Sequence, residues 1–440
     1  MITQKIHLKA PDNWVNDPNG FIYYKGYYHI FYQYFPYAPR WGTMHWGHAV
    51  SKDLVNWEHR GIALFPTKKE DQNGCFSGSA IEKDGTMHLV YTGVRYEDAD
   101  PEDIHVCRAD HLKSAQLMIS SEDGFSFDNW AGKKVIIPPL ADSLVGHSAD
   151  TRDPKIWRGK DAWYLIVGSR TEDRQGQVLF YRSEDLSTWK YVNKAAKSPS
   201  FGWMWECPDY FETEGGSVLL LSVIGASLDG PSRSCHGNSH NICFPVEFQE
   251  DTCEMTIPDT WQFLDYGLDL YAAQTTVDEA GRRIMTAWLR MPEAAEAGWI
   301  GMFCPPRVVE AKDGHVYFRM HPNVQKAYSR EITEPSQASP AGYRVCMNLS
   351  EGEEADIGGF LIRREDGHIY TDRTAVCPGN KDVLLTACTP KIMEGTQLEI
   401  LVDENMVEVF INHGEYVVSQ AVYHLGKWVR GGSGAVLYSA

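Results

Sequence analysis

One layout recurs five times along this chain, and it constrains the fold more than any single residue does. Each unit has a polar motif, a short run of alternating apolar residues, a turn carrying glycine, and then a more continuous apolar strand. The first unit opens at Trp14-Val15-Asn16-Asp17-Pro18-Asn19-Gly20, turns at Gly26 and continues as Tyr28-His29-Ile30-Phe31. The second opens at Phe76-Ser77-Gly78-Ser79 and turns at Gly85; the third opens at Arg152-Asp153-Pro154 and turns at Gly159. The fourth opens at Glu206-Cys207-Pro208 and turns at Gly215-Gly216; the fifth opens at Tyr271-Ala272-Ala273-Gln274 and turns at Gly281. The motif residues 17, 77, 153, 206 and 271 are separated by 60, 76, 53 and 65 positions.

A second echo lies between these hairpins. Ser51-Lys52-Asp53-Leu54-Val55-Asn56-Trp57 resembles Ser183-Glu184-Asp185-Leu186-Ser187-Thr188-Trp189, with Ser121-Glu122-Asp123-Gly124-Phe125 as a looser copy. These stretches read as outer hairpins with Ser-x-Asp in the turn and an aromatic on the returning strand. Two hairpins per unit make a four-stranded antiparallel sheet, and five such sheets predict an all-β, five-bladed β-propeller. Helical periodicity is weak almost everywhere, in agreement with that class. Aromatic residues, 12% of the chain, suit both strands and sugar-stacking surfaces.

In a propeller the innermost strand of every blade lines the central channel, so the five motifs face one mouth. Asp17, Asp153 and Glu206 then converge on one pocket although the chain keeps them far apart. Paired carboxyl groups flanking a scissile bond are what glycoside hydrolysis requires. No closely spaced oxygen-ligand loop for Ca²⁺ is present, and the cysteines form no CxxC pair, so neither a metal nor another cofactor is expected. His45 and His48 point to opposite faces of a strand and read as structural. The formal net charge of −18 argues against nucleic acid or an anionic membrane as partner. With no basic n-region ahead of an apolar run and ten scattered cysteines, a reduced, cytoplasmic protein is expected.

The five motifs, with Gly267-Leu268-Asp269-Leu270 running into the last of them, resemble the signature set of glycoside hydrolase family 32. That family comprises the invertases, β-fructofuranosidases and fructanases, and the resemblance covers nearly the whole chain in the family's order. It implies a five-bladed propeller over residues 1–320 followed by a C-terminal β-sandwich over 325–440. At that length the sandwich is expected to lack some strands, and no helical linker is evident. The resemblance also implies release of terminal non-reducing β-D-fructofuranosyl units from sucrose and short fructooligosaccharides with retention of configuration.

Asp17 would be the nucleophile, Glu206 the general acid and then base, and Asp153 the partner of the fructose hydroxyls. To attack, Asp17 must be ionised, so Asn16 and neighbouring donors are expected to hold its pKa down, while Arg152 keeps Asp153 ionised. Gln33, Trp41, Phe76, Ser77, Tyr271 and Trp288 match positions that shape the fructose subsite in the family. Gln33-Tyr34-Phe35-Pro36 departs from the commoner Gln-Tyr-Asn-Pro and resembles sucrose-6-phosphate hydrolases as well. The stretches Glu97–Leu112 and Gly225–Asn241 are expected at the pocket rim, where Arg95, Arg108 or Arg233 could take a phosphate. Sucrose-6-phosphate hydrolysis and fructosyl transfer on the same scaffold therefore stand as alternatives, as does a homo-oligomer built through the sandwich. A non-catalytic sugar-binding propeller and an arabinoside hydrolase fit the full motif set less well.

Overall fold

The computed structural model describes residues 3–108, 111–228, 238–377, 383–393 and 395–440. The chain folds as a five-bladed β-propeller followed by a β-sandwich. The innermost strands are Trp14–Tyr24, Cys75–Lys83, Thr151–Arg158, Met204–Thr213 and Leu270–Val277. Each pairs antiparallel with the strand after it and touches the innermost strands of the two adjacent blades, so the five close a ring. Apolar residues fill the gaps between blades; Phe31, Trp46, Leu89, Tyr91 and Leu117 join the first blade to the second. Full burial of each such side chain contributes about 1.5–3 kcal/mol.

Local sequence explains the blade geometry. Lys25-Gly26 and Asp84-Gly85 both have positive φ at the two central positions, the turn that matches the twist of a tight hairpin. The Ser-x-Asp echo forms the outer turn of blades one, two and three. Asp53, Asp123 and Asp185 each accept two successive backbone N–H groups at 2.7–2.9 Å through Oδ1. The ring closes through the N-terminus: Leu8–Lys9 pairs with Met302–Phe303, and Val15 N donates to Ile300 O at 2.9 Å.

After the last propeller strand, His315–Met320, the chain makes a helix, Pro322–Ala327, capped by His321. This corrects the expectation that no helix lies at the junction; six residues are under two turns, too short to show a helical period. Among the described residues the sandwich has sheets of six and five strands. Its interior is Val345, Ile400, Val407 and Val409 on one side against Ile357, Phe360 and Ile362 on the other.

The sandwich docks on blade five through buried charge. Arg307 donates to Asp265 at 2.8 Å and also pairs with Glu408, while Arg373 and Asp269 form a second wholly buried pair. Gly267 permits this approach, since a Cβ there would stand 2.0 Å from Ser419 O. Among the described residues no helix is long and apolar enough to cross a membrane.

Candidate active site

Every innermost strand breaks register at its motif. The shifts fall between Val15 and Pro18, Cys75 and Gly78, Arg152 and Lys155, Glu206 and Asp209, and Tyr271 and Gln274. A bulge re-aims side chains, and five at one level turn all five motifs toward the same mouth of the channel. In blades three and four the second bulged residue is proline, Pro154 or Pro208, which has no N–H to leave unpaired. The residue before each is left-handed, Asp153 at φ 69° and Cys207 at φ 45°, and Ala272 at φ 54° is the counterpart in blade five. Non-glycine residues held there cost about 1–3 kcal/mol each, and they persist because the surrounding sheet over-determines them.

The mouth is a cavity of about 580 Å³. Asn16, Asp17, Gln33, Trp41, Phe76, Arg152, Asp153, Glu206, Tyr271 and Trp288 all line it. Ser77 stands behind this layer and acts through Asp17: its hydroxyl donates to Asp17 Oδ2 at 2.5 Å and accepts from Gln33 Nε2 at 2.5 Å. Asn16 Nδ2 donates to Asp17 Oδ1 at 3.1 Å, and Trp14 Nε1 fixes Asn16 by donating to Oδ1 at 2.8 Å. Asp153 Oδ2 accepts the Cys207 backbone N–H at 3.0 Å. The Cys207 thiol bridges two acids, lying 3.7 Å from Asp17 Oδ2 and 3.6 Å from Asp153 Oδ2. Glu206 is held from both sides: Arg152 Nη2 and Nε donate to Oε1 at 2.9 and 3.1 Å, and Tyr271 OH donates to Oε2 at 2.7 Å.

Electrostatics correct the expectation for Asp17. Burial pushes its carboxyl above the ordinary value and the charge of Glu206 adds to this; Ser77 and Asn16 pull downward without overcoming it. For Asp153, burial and the charges of Glu206 and Asp17 outweigh Arg152, pushing it up to about 7. Arg152 is shared, with Nη1 donating to Asp150 Oδ1 at 2.7 Å, so its charge does not belong to Asp153 alone.

Sequence reasoning gave Trp14 no role at the site although it opens the first motif, and it missed Asp150 and Arg290. Each lies two residues from an expected site residue (Asn16, Arg152 and Trp288), so strand alternation was the available signal. The Arg290 guanidinium sits 4.3 Å from the Tyr271 ring centre. His45 and His48 are core residues: His48 stacks on Phe31 at 4.3 Å and contacts His29, while His45 faces Thr43 O at 3.0 Å. Val106, Cys107 and Leu112 bring the Glu97–Leu112 stretch to the rim, where His105 joins it to Thr43 at 2.8 Å. Arg95 and Arg108 face Glu97 and Asp100, each at 3.5 Å. Much of Gly225–Asn241, including Arg233, lies outside the described residues.

The model of the glycosyl hydrolases family 32 N-terminal domain matches residues 7–322, and that of the family's C-terminal domain matches 307–439. The chain belongs to glycoside hydrolase family 32. It is 31% identical over 443 residues to the sucrose-6-phosphate hydrolase of Bacillus subtilis, covering 94% of this chain and 88% of that protein. It is 32% identical over 452 residues to a raffinose invertase of Escherichia coli, covering 95% of this chain and 88% of that protein. Among solved structures, the family 32 β-fructofuranosidase of Bombyx mori superposes with a TM-score of 0.84 at 30% identity, over 99% of this chain and 93% of that one. The protein is thus a glycoside hydrolase, and its carboxylate-lined mouth lies within the residues that the N-terminal domain model matches.

Proposed function

We propose that this family 32 enzyme is a retaining β-fructofuranosidase acting on sucrose and short fructooligosaccharides, with propeller residues 1–320 as its catalytic domain and 325–440 as the sandwich. The observation that carries the reading is the division of labour among three carboxyls in one cavity. Asp17 takes neutral donors, Asn16, Ser77 and the Cys207 thiol, and faces the cavity as the nucleophile that attacks the anomeric carbon of the fructosyl unit. Glu206, carried by the opposite bulge and oriented by Arg152 and Tyr271, protonates the leaving oxygen and then activates water. Retention requires about 5–5.5 Å between these two carboxyls. Asp153, fixed by the Cys207 N–H, accepts hydroxyl hydrogen bonds that strengthen as positive charge builds on the fructosyl ring. Trp41, Phe76 and Trp288 supply apolar walls, with Trp41 and Phe76 edge to face at 5.9 Å.

Hydrolysis of sucrose 6-phosphate is the second reading, and Arg174 favours it. That exposed residue sits in the Thr171–Gln175 turn with its guanidinium 4.5 Å from the ring centre of Trp203, a cavity-lining residue. Measuring kcat/KM for sucrose and sucrose 6-phosphate in the parent and in Arg174→Ala decides between the two: only a phosphate-using enzyme loses its preference for the phosphorylated sugar. A cytoplasmic setting is part of the proposal, supported by nine free cysteines among the described residues.

Leaving groups test the mechanism. Glu206→Ala deletes proton donation, worth about 10²–10⁴-fold, so it should disable sucrose cleavage yet recover fructosylation from an activated aryl β-fructofuranoside. Azide should then speed turnover and yield β-fructosyl azide. Asp17→Ala should gain nothing from the aryl group by this route. Equal responses of the two variants would sink both role assignments.

A further inference from the structure

Asp269 lies two residues before Tyr271, at the entry to blade five's innermost strand, and is wholly buried. Its carboxylate receives a fork from the sandwich: Arg373 Nη1 to Oδ2 at 2.5 Å and Nη2 to Oδ1 at 3.2 Å. The Ala421 backbone N–H, also from the sandwich, donates to Oδ2 at 2.8 Å. Arg373 is itself anchored, donating to Leu384 O through Nε and Nη2 and to Ala421 O through Nη1. A bidentate guanidinium–carboxylate pair fixes two planes as well as a distance. Desolvation offsets much of the attraction in a buried pair, so its main product is geometry rather than stability.

That geometry leads to the candidate acid. The backbone carbonyl of Asp269 accepts the Arg290 N–H at 2.9 Å, and the Arg290 guanidinium lies over the Tyr271 ring. Tyr271 in turn donates to Glu206 Oε2. Asp269 thus holds the near end of the strand carrying Tyr271 and, through its carbonyl, Arg290, the residue that follows the paired strand Arg283–Leu289. The buried Arg307 network runs instead to Asp265, Glu408 and Ser419.

We infer that the Arg373–Asp269 pair is a strut by which the β-sandwich positions Arg290 over Tyr271 and Tyr271 against Glu206, so that the second domain governs proton donation in the first. Arg373 and Asp269 are positioning residues in this scheme. The inference rests on the reading of Glu206 as general acid.

The test uses the full-length enzyme with Arg373→Lys, which keeps the charge and loses the fork, and Ser419→Ala as a control that disturbs the same interface away from Asp269. Values of kcat/KM are measured for sucrose and for 4-nitrophenyl β-D-fructofuranoside, and circular dichroism checks folding. A positioning role predicts a fall of about 10–100-fold with sucrose and about 3-fold or less with the nitrophenyl substrate, as expected for partial loss of acid catalysis. Ser419→Ala should lower neither. A purely structural role would lower both substrates in proportion to the folded fraction, and that result overturns the strut. If Arg373→Lys does not fold, Asp269→Asn is read in the same way; loss of folding in both assigns the pair to stability and also overturns it. Glu206→Ala runs in parallel. If it shows the leaving-group split and the folded strut variant does not, only the strut falls. If Glu206→Ala loses both substrates equally, the acid assignment fails and takes the strut with it.

Discussion

Asp153→Asn should abolish activity and make the protein more stable above neutral pH. Asp153 is buried beside Glu206 and Asp17, and its carboxyl is pushed from an ordinary 3.8 up to about 7. An acid whose folded value is raised binds more protons folded than unfolded between those two pH values, so its contribution to stability falls as pH rises through them. At about 1.4 kcal/mol per pH unit, the interval from 3.8 to about 7 amounts to about 4 kcal/mol. The charges of Glu206 and Asp17 act on Asp153, so removing its own charge should return part of this, about 2–4 kcal/mol at pH 8. Asparagine keeps the size and the acceptor for the Cys207 N–H, so the cavity is not emptied. The assay is denaturant unfolding of parent and variant from pH 4.5 to 8.5, together with kcat for sucrose at pH 6. The difference in stability should be largest at pH 8 and vanish toward pH 4.5. A variant less stable than the parent at pH 8, or a gap independent of pH, would refute the reasoning.

Ser77→Ala removes a donor to the Asp17 carboxylate, leaving burial less opposed. The carboxyl should then protonate at higher pH, and the acid limb of kcat/KM should move alkaline by about 1 unit; an unmoved limb would exclude Ser77 as that donor. All ten cysteines should react with iodoacetamide in denatured protein without reductant, and mass spectrometry reads the count. Burial pushes the Cys207 thiol up, so it should resist alkylation in the native enzyme, and rapid labelling there would contradict its enclosure between Asp17 and Asp153.

How much of this was legible in sequence depended on whether the signal was local. Asp-Pro and Cys-Pro mark a bulge because proline tolerates an unpaired position, so the motif starts could be read one by one and the ring followed from their repetition. Gly26 and Gly85 marked hairpins for the same kind of local reason. Arg290 and Asp150 carry no motif; only strand alternation tied them to Trp288 and Arg152. The direction for Asp17 was misjudged because its donors are neighbours in sequence or motif, whereas its burial comes from the other blades. The junction helix was too short to leave a period. Arg373 and Asp269, 104 positions apart, show nothing of their pairing until the sandwich is docked.

The pairing of Leu8–Lys9 with Met302–Phe303 also sets a timetable for synthesis. About 300 residues separate the two halves of that latch, so at about 5–20 residues per second it cannot form until about 15–60 s after its first half leaves the ribosome. Over that interval the first blade has no neighbour on its blade-five side, and Phe21, Tyr28 and Ile30 await the partners they find in Ile284 and Phe303. Nascent chains released before the last blade should therefore expose apolar surface and carry no working mouth, because Asp17 and Tyr271 meet only when the ring shuts. Truncation within the fifth blade should cost solubility and turnover together, and chaperone dependence should be greatest in that window.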